Sequence, residues 1–305
     1  MPAPLPLVAV FGPTGVGKTA VAIALAERLR ADGEDPVAVS ADALQVYRGL
    51  EILTGAASAA ERERLEHRLV GILDVAETFS AGAYARLAHA EIDALVAAGR
   101  RPIVVGGTGL YLRAALAELD LRPPVAPEIR ARWAGRLAAE GAPALHAELA
   151  RRDAEAAAGL GPTDAQRITR ALELLDAGHA PPPAAGVPGS QLWTSDTRHP
   201  TLLAGLVMDR AALAERIGER VDRMVADGAV AEVERAASTA SPTARKALGF
   251  EELLAGDVEA MKTRTRRYAK RQLTWMRKLP DVRTLDVTGR DPADVAAELH
   301  GMIEP

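Results

Sequence analysis

The 305-residue sequence contains no cysteine. That absence removes disulfides, thiolate zinc sites and a cysteine nucleophile at once, and it fits a reducing cytoplasm. No stretch approaches the ~18 consecutive apolar residues of a membrane span, so no membrane role is expected. The opening MPAPLPLVAVFG carries no basic leader. Its apolar run passes straight into a glycine loop, which predicts a first strand and not a signal peptide. There is no excess of positive charge either: 37 Lys and Arg against 41 Asp and Glu give a formal net charge of −4. Any nucleic-acid binding therefore has to come from a local patch. No internal repeat is visible. What is present is a hydrophobic fraction of 48% and a charged fraction of 26%, the balance of a soluble globular chain of one or two domains.

Short apolar runs alternate with helical patterns. LPLVAVF (5–11), PVAVS (36–40), PIVVG (102–106) and TLLAGLVM (201–208) read as buried strands. Between them, residues 18–30 carry Val21, Ile23, Ala24, Leu25 and Leu29 at helical spacing, and Ser80 caps a helix with a face of Tyr84, Leu87, Glu91, Ile92, Leu95 and Val96. This alternation predicts a parallel sheet covered on both faces. From about 121 to 195 the texture is helical only, and it ends in GHAPPPAAGVPGS, which excludes regular structure. The expected organisation is an α/β core, 1–120 with 196–305, and an all-helical insertion, 121–195. After 208 the pattern is helical to the end.

Gly12-Pro13-Thr14-Gly15-Val16-Gly17-Lys18-Thr19 fits G-x-x-x-x-G-K-T, after a strand and at the start of a helix. Its glycines let successive backbone N–H groups turn around an anion. The helix N-terminus adds positive dipole, Lys18 a point charge, and the Thr19 hydroxyl a ligand for Mg²⁺. The loop binds phosphate chains without saying what happens to them. No strand of four apolar residues ends in the Asp-Asp or Asp-Glu that would hold a metal in a kinase or ATPase. Asp42, at the end of PVAVSAD, is open to three readings by position alone: a helix cap, a carboxylate that acts on magnesium through another ligand, or a general base.

GPTGVGKT, SADALQVYRG, RPIVVGGTGLYLRA, TDAQRITRALELL, DRAALAERIGERVDRMVADG, ALGFEELLAGD and TRRYAKRQLTWMRK follow one another in the order seen in bacterial tRNA dimethylallyltransferases. The sequence resembles that family over almost its whole length. The resemblance implies a P-loop NTPase-like parallel sheet flanked by helices with an all-helical insertion domain. It also implies transfer of a dimethylallyl group from dimethylallyl diphosphate to the exocyclic amine of the adenosine 3′ of the anticodon in tRNA. The P-loop would hold the diphosphate that leaves, with Mg²⁺ as cofactor, in a monomeric cytoplasmic enzyme; whether ATP also occupies the loop is open. Asp42 is then the general base, placed near the P-loop on the expectation that its strand and the first are neighbours.

Of Arg216, Arg220 and Arg223, the resemblance puts Arg220 on the diphosphate. It implies tRNA contacts at Asp42, Ala43, Leu44 and Gln45, at Thr108, and at Arg130, Gln166, Arg167, Ile168, Thr169 and Arg170 of the insertion. Lys246, Ala247, Leu248, Gly249, Phe250 and Glu251 complete the set. The sequence departs from the family pattern at Ala43 (serine), Thr163 (asparagine), Phe250 (tyrosine) and LTGAAS (G-T-A-K-P). Residues 262–278 hold eight Lys/Arg and no acid, while Met261, Tyr268, Gln272, Trp275, Met276 and Leu279 recur at helical spacing. That predicts a helix anchored by its aromatics, with basic faces for RNA phosphates. Alternatives are a prenyltransferase acting on free adenine nucleotides, a small-molecule P-loop kinase, and an RNA-binding switch without chemistry.

Overall fold

The computed structural model describes residues 6–181, 192 and 194–303. Strand β1, Leu7–Phe11, is apolar and buried at every position, the pattern of a parallel strand covered on both faces. It is followed by helix α1, Lys18–Ala31, and β2, Pro36–Ser40. Two short helices, α2 (Glu51–Thr54) and α3 (Ala59–Arg64), lead to β3, His67–Arg68. Next come α4 (Ala81–Ala97), β4 (Arg101–Gly106) and α5 (Gly109–Leu116). Ser80 caps α4 by accepting from the Ala83 N–H, as its sequence predicts, but the buried stripe is Tyr84, Ala85, Ala88, Ile92 and Leu95. Leu87 is exposed at 40%.

The described chain divides into two compact units, one holding residues up to Glu118 and from Ser195 on, the other running from Leu119 to Thr194. The second contains α6 (Pro127–Arg152), α7 (Ala154–Ala158) and α8 (Ala165–Asp176), and no strand among its described residues. Gly141, at φ 79° and ψ 164°, kinks α6 where the sequence breaks between its two helical runs. This unit has its own core of Trp133, Leu145, Leu149, Ile168 and Leu172. Asp176 binds it from one side, accepting from Trp133 Nε1 at 2.6 Å and pairing with Arg152 at 2.7 Å. Asp164 caps α8, accepting from the Arg167 N–H at 3.2 Å. Most of GHAPPPAAGVPGS lies outside the described residues.

The first unit resumes with β5 (Thr201–Val207), α9 (Arg210–Ala226), α10 (Ala229–Ala236), α11 (Phe250–Leu254), α12 (Val258–Met276), β6 (Arg283–Asp286) and α13 (Pro292–Gly301). Its sheet has the order β3-β2-β4-β1-β5-β6, all pairs parallel. Val8 and Ala38 both pair with Ile103, so β4 stands between β1 and β2. The sequence expectation that β1 and β2 adjoin is corrected here: both end at the same edge, with the β4–α5 turn between them. The topology places a crevice outside the carboxyl ends of β1 and β4, where such folds bind ligands. No described helix is long and apolar enough to cross a membrane.

Candidate active site

The loop between β1 and α1 turns on Gly15 and Gly17, whose φ values of 84° and 101° suit residues without a side chain. Val16 is buried, so its part in the loop is played by backbone. Lys18, the first residue of α1, donates through Nζ to the Gly12 and Pro13 carbonyls, both at 3.0 Å. The loop is also held from outside. Gln272, buried on α12, accepts from the Thr14 N–H at 2.8 Å through Oε1 and donates through Nε2 to the Gly107 carbonyl at 2.8 Å. One amide thus ties the phosphate loop to the β4–α5 turn. Tyr268, one helical turn earlier, reaches the same turn, its hydroxyl 3.2 Å from Thr108 Oγ1. Trp275 lies over Gly109, where a Cβ would stand 2.6 Å from the ring carbon Cδ2. The glycines after β4 therefore exist for close approach of α12.

Asp42 follows β2 and folds back on itself: Oδ1 accepts from the Leu44 N–H at 2.9 Å, the turn that aspartate favours. Asp42, Lys18, Thr19, Thr108 and Arg220 line one cavity of about 1080 Å³, together with Lys246, Leu248, Arg264, Tyr268 and Arg271. Its charges are coupled. Burial, helped by Arg220, pulls the Lys18 ammonium down to about 8, while Asp42 works against the shift. Burial also lowers the Arg220 guanidinium from its ordinary value, again opposed by Asp42. Three phenols are held in the neutral form. Tyr268 is pushed up to about 12, by burial first and the Asp42 charge second. Tyr84 is raised by burial and then Asp42, and Tyr111 by burial, Tyr47 and Asp42. The cavity therefore sets seven Lys and Arg side chains against the four carboxylates of Asp42, Glu51, Glu61 and Asp227, a net positive enclosure suited to an anion.

Of the three candidate arginines on α9, Arg216, Arg220 and Arg223, the last two line the cavity. Arg216 turns to the phosphate loop, its Nη2 3.6 Å from where a Cβ on Gly17 would stand. Gln45 and Ala43 are at the cavity, but Gln45 is engaged: Oε1 accepts from Ser40 Oγ at 3.0 Å and Nε2 donates to the Gly55 carbonyl at 3.2 Å. Lys246 and Glu251 are exposed. Ala247 and Phe250, at 1% and 0% exposure, belong to the core. Their side chains are corrected from tRNA contacts to packing positions, because the turn before α11 buries them in the cluster that holds Leu53 and Met261. Ile168 is corrected likewise, being in the core of the helical unit.

In that unit Arg130, Gln166 and Arg167 are exposed and Thr169 is half-buried. Arg170 spends its guanidinium on the Pro123 carbonyl at 2.6 Å and on Glu173 at 3.3 Å. On α12, Lys262 and Arg264 are ion-paired with Asp222 and Glu252, both at 2.7 Å, and Arg271 stands over the Tyr268 ring at 5.5 Å. The roles of Gln272 and Tyr268 were missed in sequence. Their spacing of four residues predicts an anchoring face, and only the polar tips of both side chains hint at more.

The IPP transferase family model matches residues 45–279, which includes the cavity's α9 and α12 walls and starts just past Asp42. The chain belongs to the IPP transferase family. Among relatives, the tRNA dimethylallyltransferase of Thermobifida fusca (strain YX) is 41% identical over 305 residues, covering 96% of this chain and 93% of that protein. The family's solved structures agree. The full-length tRNA isopentenylpyrophosphate transferase from Bacillus halodurans aligns with a TM-score of 0.69 and 32% identity over 98% of this chain and 95% of that one. The tRNA delta(2)-isopentenylpyrophosphate transferase from Staphylococcus epidermidis aligns with a TM-score of 0.67 and 30% identity over 98% of each chain.

Proposed function

We propose that this chain transfers the dimethylallyl group of dimethylallyl diphosphate to the exocyclic amine of the adenosine 3′ of the anticodon in tRNA, releasing diphosphate. The observation that carries this reading is the meeting of Lys18, Arg220 and Asp42 in one cavity at the end of a phosphate loop. An adenine amine is a weak nucleophile because its lone pair is delocalised into the ring. A carboxylate within hydrogen-bond reach orients it and takes its proton as the carbon–nitrogen bond forms. Oδ1 of Asp42 is occupied by the Leu44 N–H, so Oδ2 is the oxygen offered to that proton. Negative charge grows on the departing diphosphate, and Lys18, Arg220 and the loop N–H groups stabilise it as it develops.

Among the described residues no group of three or more His, Asp or Glu is placed to hold a metal. The residues present fit Mg²⁺ in the manner of other phosphate loops, where the ion takes most ligands from phosphate and water and one from a hydroxyl, here Thr19. Bound so, it would add positive charge beside the leaving group. The target adenine has to leave its stack to reach Asp42. The helical unit, with Arg130, Gln166 and Arg167 exposed, is proposed to hold the anticodon stem-loop through its phosphates and splayed bases.

The test is release of diphosphate from dimethylallyl diphosphate and Mg²⁺ on adding tRNA. The reading predicts one diphosphate per tRNA modified and no loss of γ-phosphate from labelled ATP. Phosphate transfer from ATP, with no release from the prenyl donor, would favour a kinase.

A further inference from the structure

We propose that Gly55 is a positioning residue for Arg220, the space left by its missing side chain being the seat of the guanidinium. Gly55 ends α2 in the left-handed region, at φ 58° and ψ 45°. Its N–H donates to the Ile52 carbonyl at 3.0 Å, the closing bond of a helix end. A Cβ built on this glycine falls within the Arg220 guanidinium, 2.7 Å from Cζ, and lies 3.0 Å from Met224 Cε. Met224 is one turn along α9 and 9% exposed, which blocks a slide of the arginine in that direction. Position 55 therefore has two demands. A left-handed backbone would be met by glycine or, less well, by asparagine. The contact with Arg220 is met by glycine alone.

The backbone that carries the seat is fixed to the end of β2. The Gly55 carbonyl accepts from Gln45 Nε2 at 3.2 Å, Gln45 Oε1 accepts from Ser40 Oγ at 3.0 Å, and the Ser40 carbonyl accepts from the Tyr84 hydroxyl at 3.0 Å. Ser40 stands two residues before Asp42. One chain of hydrogen bonds thus holds both the strand end that bears the carboxylate and the floor on which the arginine rests. Gln45 acts here as a strut inside the protein. The guanidinium is the far end of a flexible side chain, so an added Cβ moves Arg220 and leaves the fold standing. The loss falls on the charge in the cavity.

This inference rests on the reading that Arg220 acts on the diphosphate, and it is tested by a double-mutant cycle. Gly55→Ala, Gly55→Asn, Arg220→Ala and the double variant Gly55→Ala with Arg220→Ala are compared in two assays. Calorimetry with inorganic diphosphate and Mg²⁺ gives the anion affinity. Single-turnover prenylation of tRNA gives the rate. Gly55→Ala and Gly55→Asn should each weaken diphosphate binding by about the same factor as Arg220→Ala, on the order of 10- to 100-fold. In the Arg220→Ala background Gly55→Ala should add less than about twofold. All variants should keep a cooperative thermal transition.

Multiplying effects in the double variant would overturn the proposal, as would recovery in Gly55→Asn, which would reduce the site to backbone strain. So would diphosphate binding that ignores both single changes. A wild-type protein that binds diphosphate and shows the cycle but leaves tRNA unmodified would sink the proposed reaction while the Gly55–Arg220 coupling stands.

Discussion

Replacing Asp42 with asparagine separates its two roles in the cavity. The amide keeps an oxygen that accepts the Leu44 N–H, now bonded to Oδ1 at 2.9 Å, so the turn after β2 survives. It also still orients an adenine amine. What it loses is the ability to take a proton, and general-base catalysis contributes about 10²- to 10⁴-fold, or about 3–5 kcal/mol of barrier. The charge it loses acts in the opposite direction on the donor. Asp42 is the group that works against the depressed Lys18 and Arg220 values, and it also repels diphosphate. Asp42→Asn should therefore bind diphosphate as tightly as the parent or more so at pH 7, while the single-turnover rate falls by two to four decades.

The loss of the carboxylate also shifts the titration of Lys18. Without Asp42 the Lys18 ammonium drops below its present value of about 8. The charged form binds the anion, so Lys18's share of the diphosphate affinity is complete below that value and lost above it, and the alkaline fall should start at lower pH in the variant. Single-turnover rates across a Mg²⁺ titration, at saturating tRNA, decide the matter. A rate restored by metal would refute the base assignment and make Asp42 a metal-directed group.

Lys18→Ala should cost about 10²- to 10³-fold in rate through lost charge stabilisation. It should also abolish the pH step near 8, which a diphosphate titration from pH 7 to 9.5 would follow. Glu34→Ala removes the carboxylate that pairs with Arg101 through Oε1 at 2.7 Å, leaving a guanidinium at 2% exposure with the Pro6 carbonyl. Breaking such a buried pair costs about 3–5 kcal/mol, read as a lower urea midpoint at unchanged slope. Gln166→Ala with Arg167→Glu, both on exposed positions of α8, should weaken tRNA binding several-fold and leave diphosphate affinity unchanged. Equal losses for both ligands would contradict the assignment of the helical unit to RNA.

The central strands were legible because each is a short apolar run, rich in valine, between glycine or polar turns. LVAVF, PVAVS and RPIVVG are almost wholly buried in the sheet. The edge strands were not. β3 has two residues, and β6 reads RTLD with only Leu285 buried, so neither offers an apolar signal. Strand order is not legible because chain order says nothing of where β4 inserts. The phosphate loop and Asp42 were legible because each is local.

Contacts distant in sequence were not legible. Thr14 and Gln272 lie 258 residues apart, and the contact of Gly55 with Arg220 depends on the backbone angle of one residue and the reach of another. Phe250 and Ile168 show the converse. A motif position can be placed correctly along the chain and still point into the core, because spacing within a motif does not fix which face is solvent.

The central claim is that the phosphate loop serves departure of a diphosphate from a prenyl carbon attacked by an adenine amine. The most direct measurement is mass spectrometry of the nucleosides released from tRNA after incubation with the protein, Mg²⁺ and dimethylallyl diphosphate. An adenosine heavier by C5H8 is expected, confined to the position 3′ of the anticodon and formed two to four decades more slowly with Asp42→Asn under single-turnover conditions. Unmodified adenosine throughout, with the parent protein folded and binding both ligands, would contradict it.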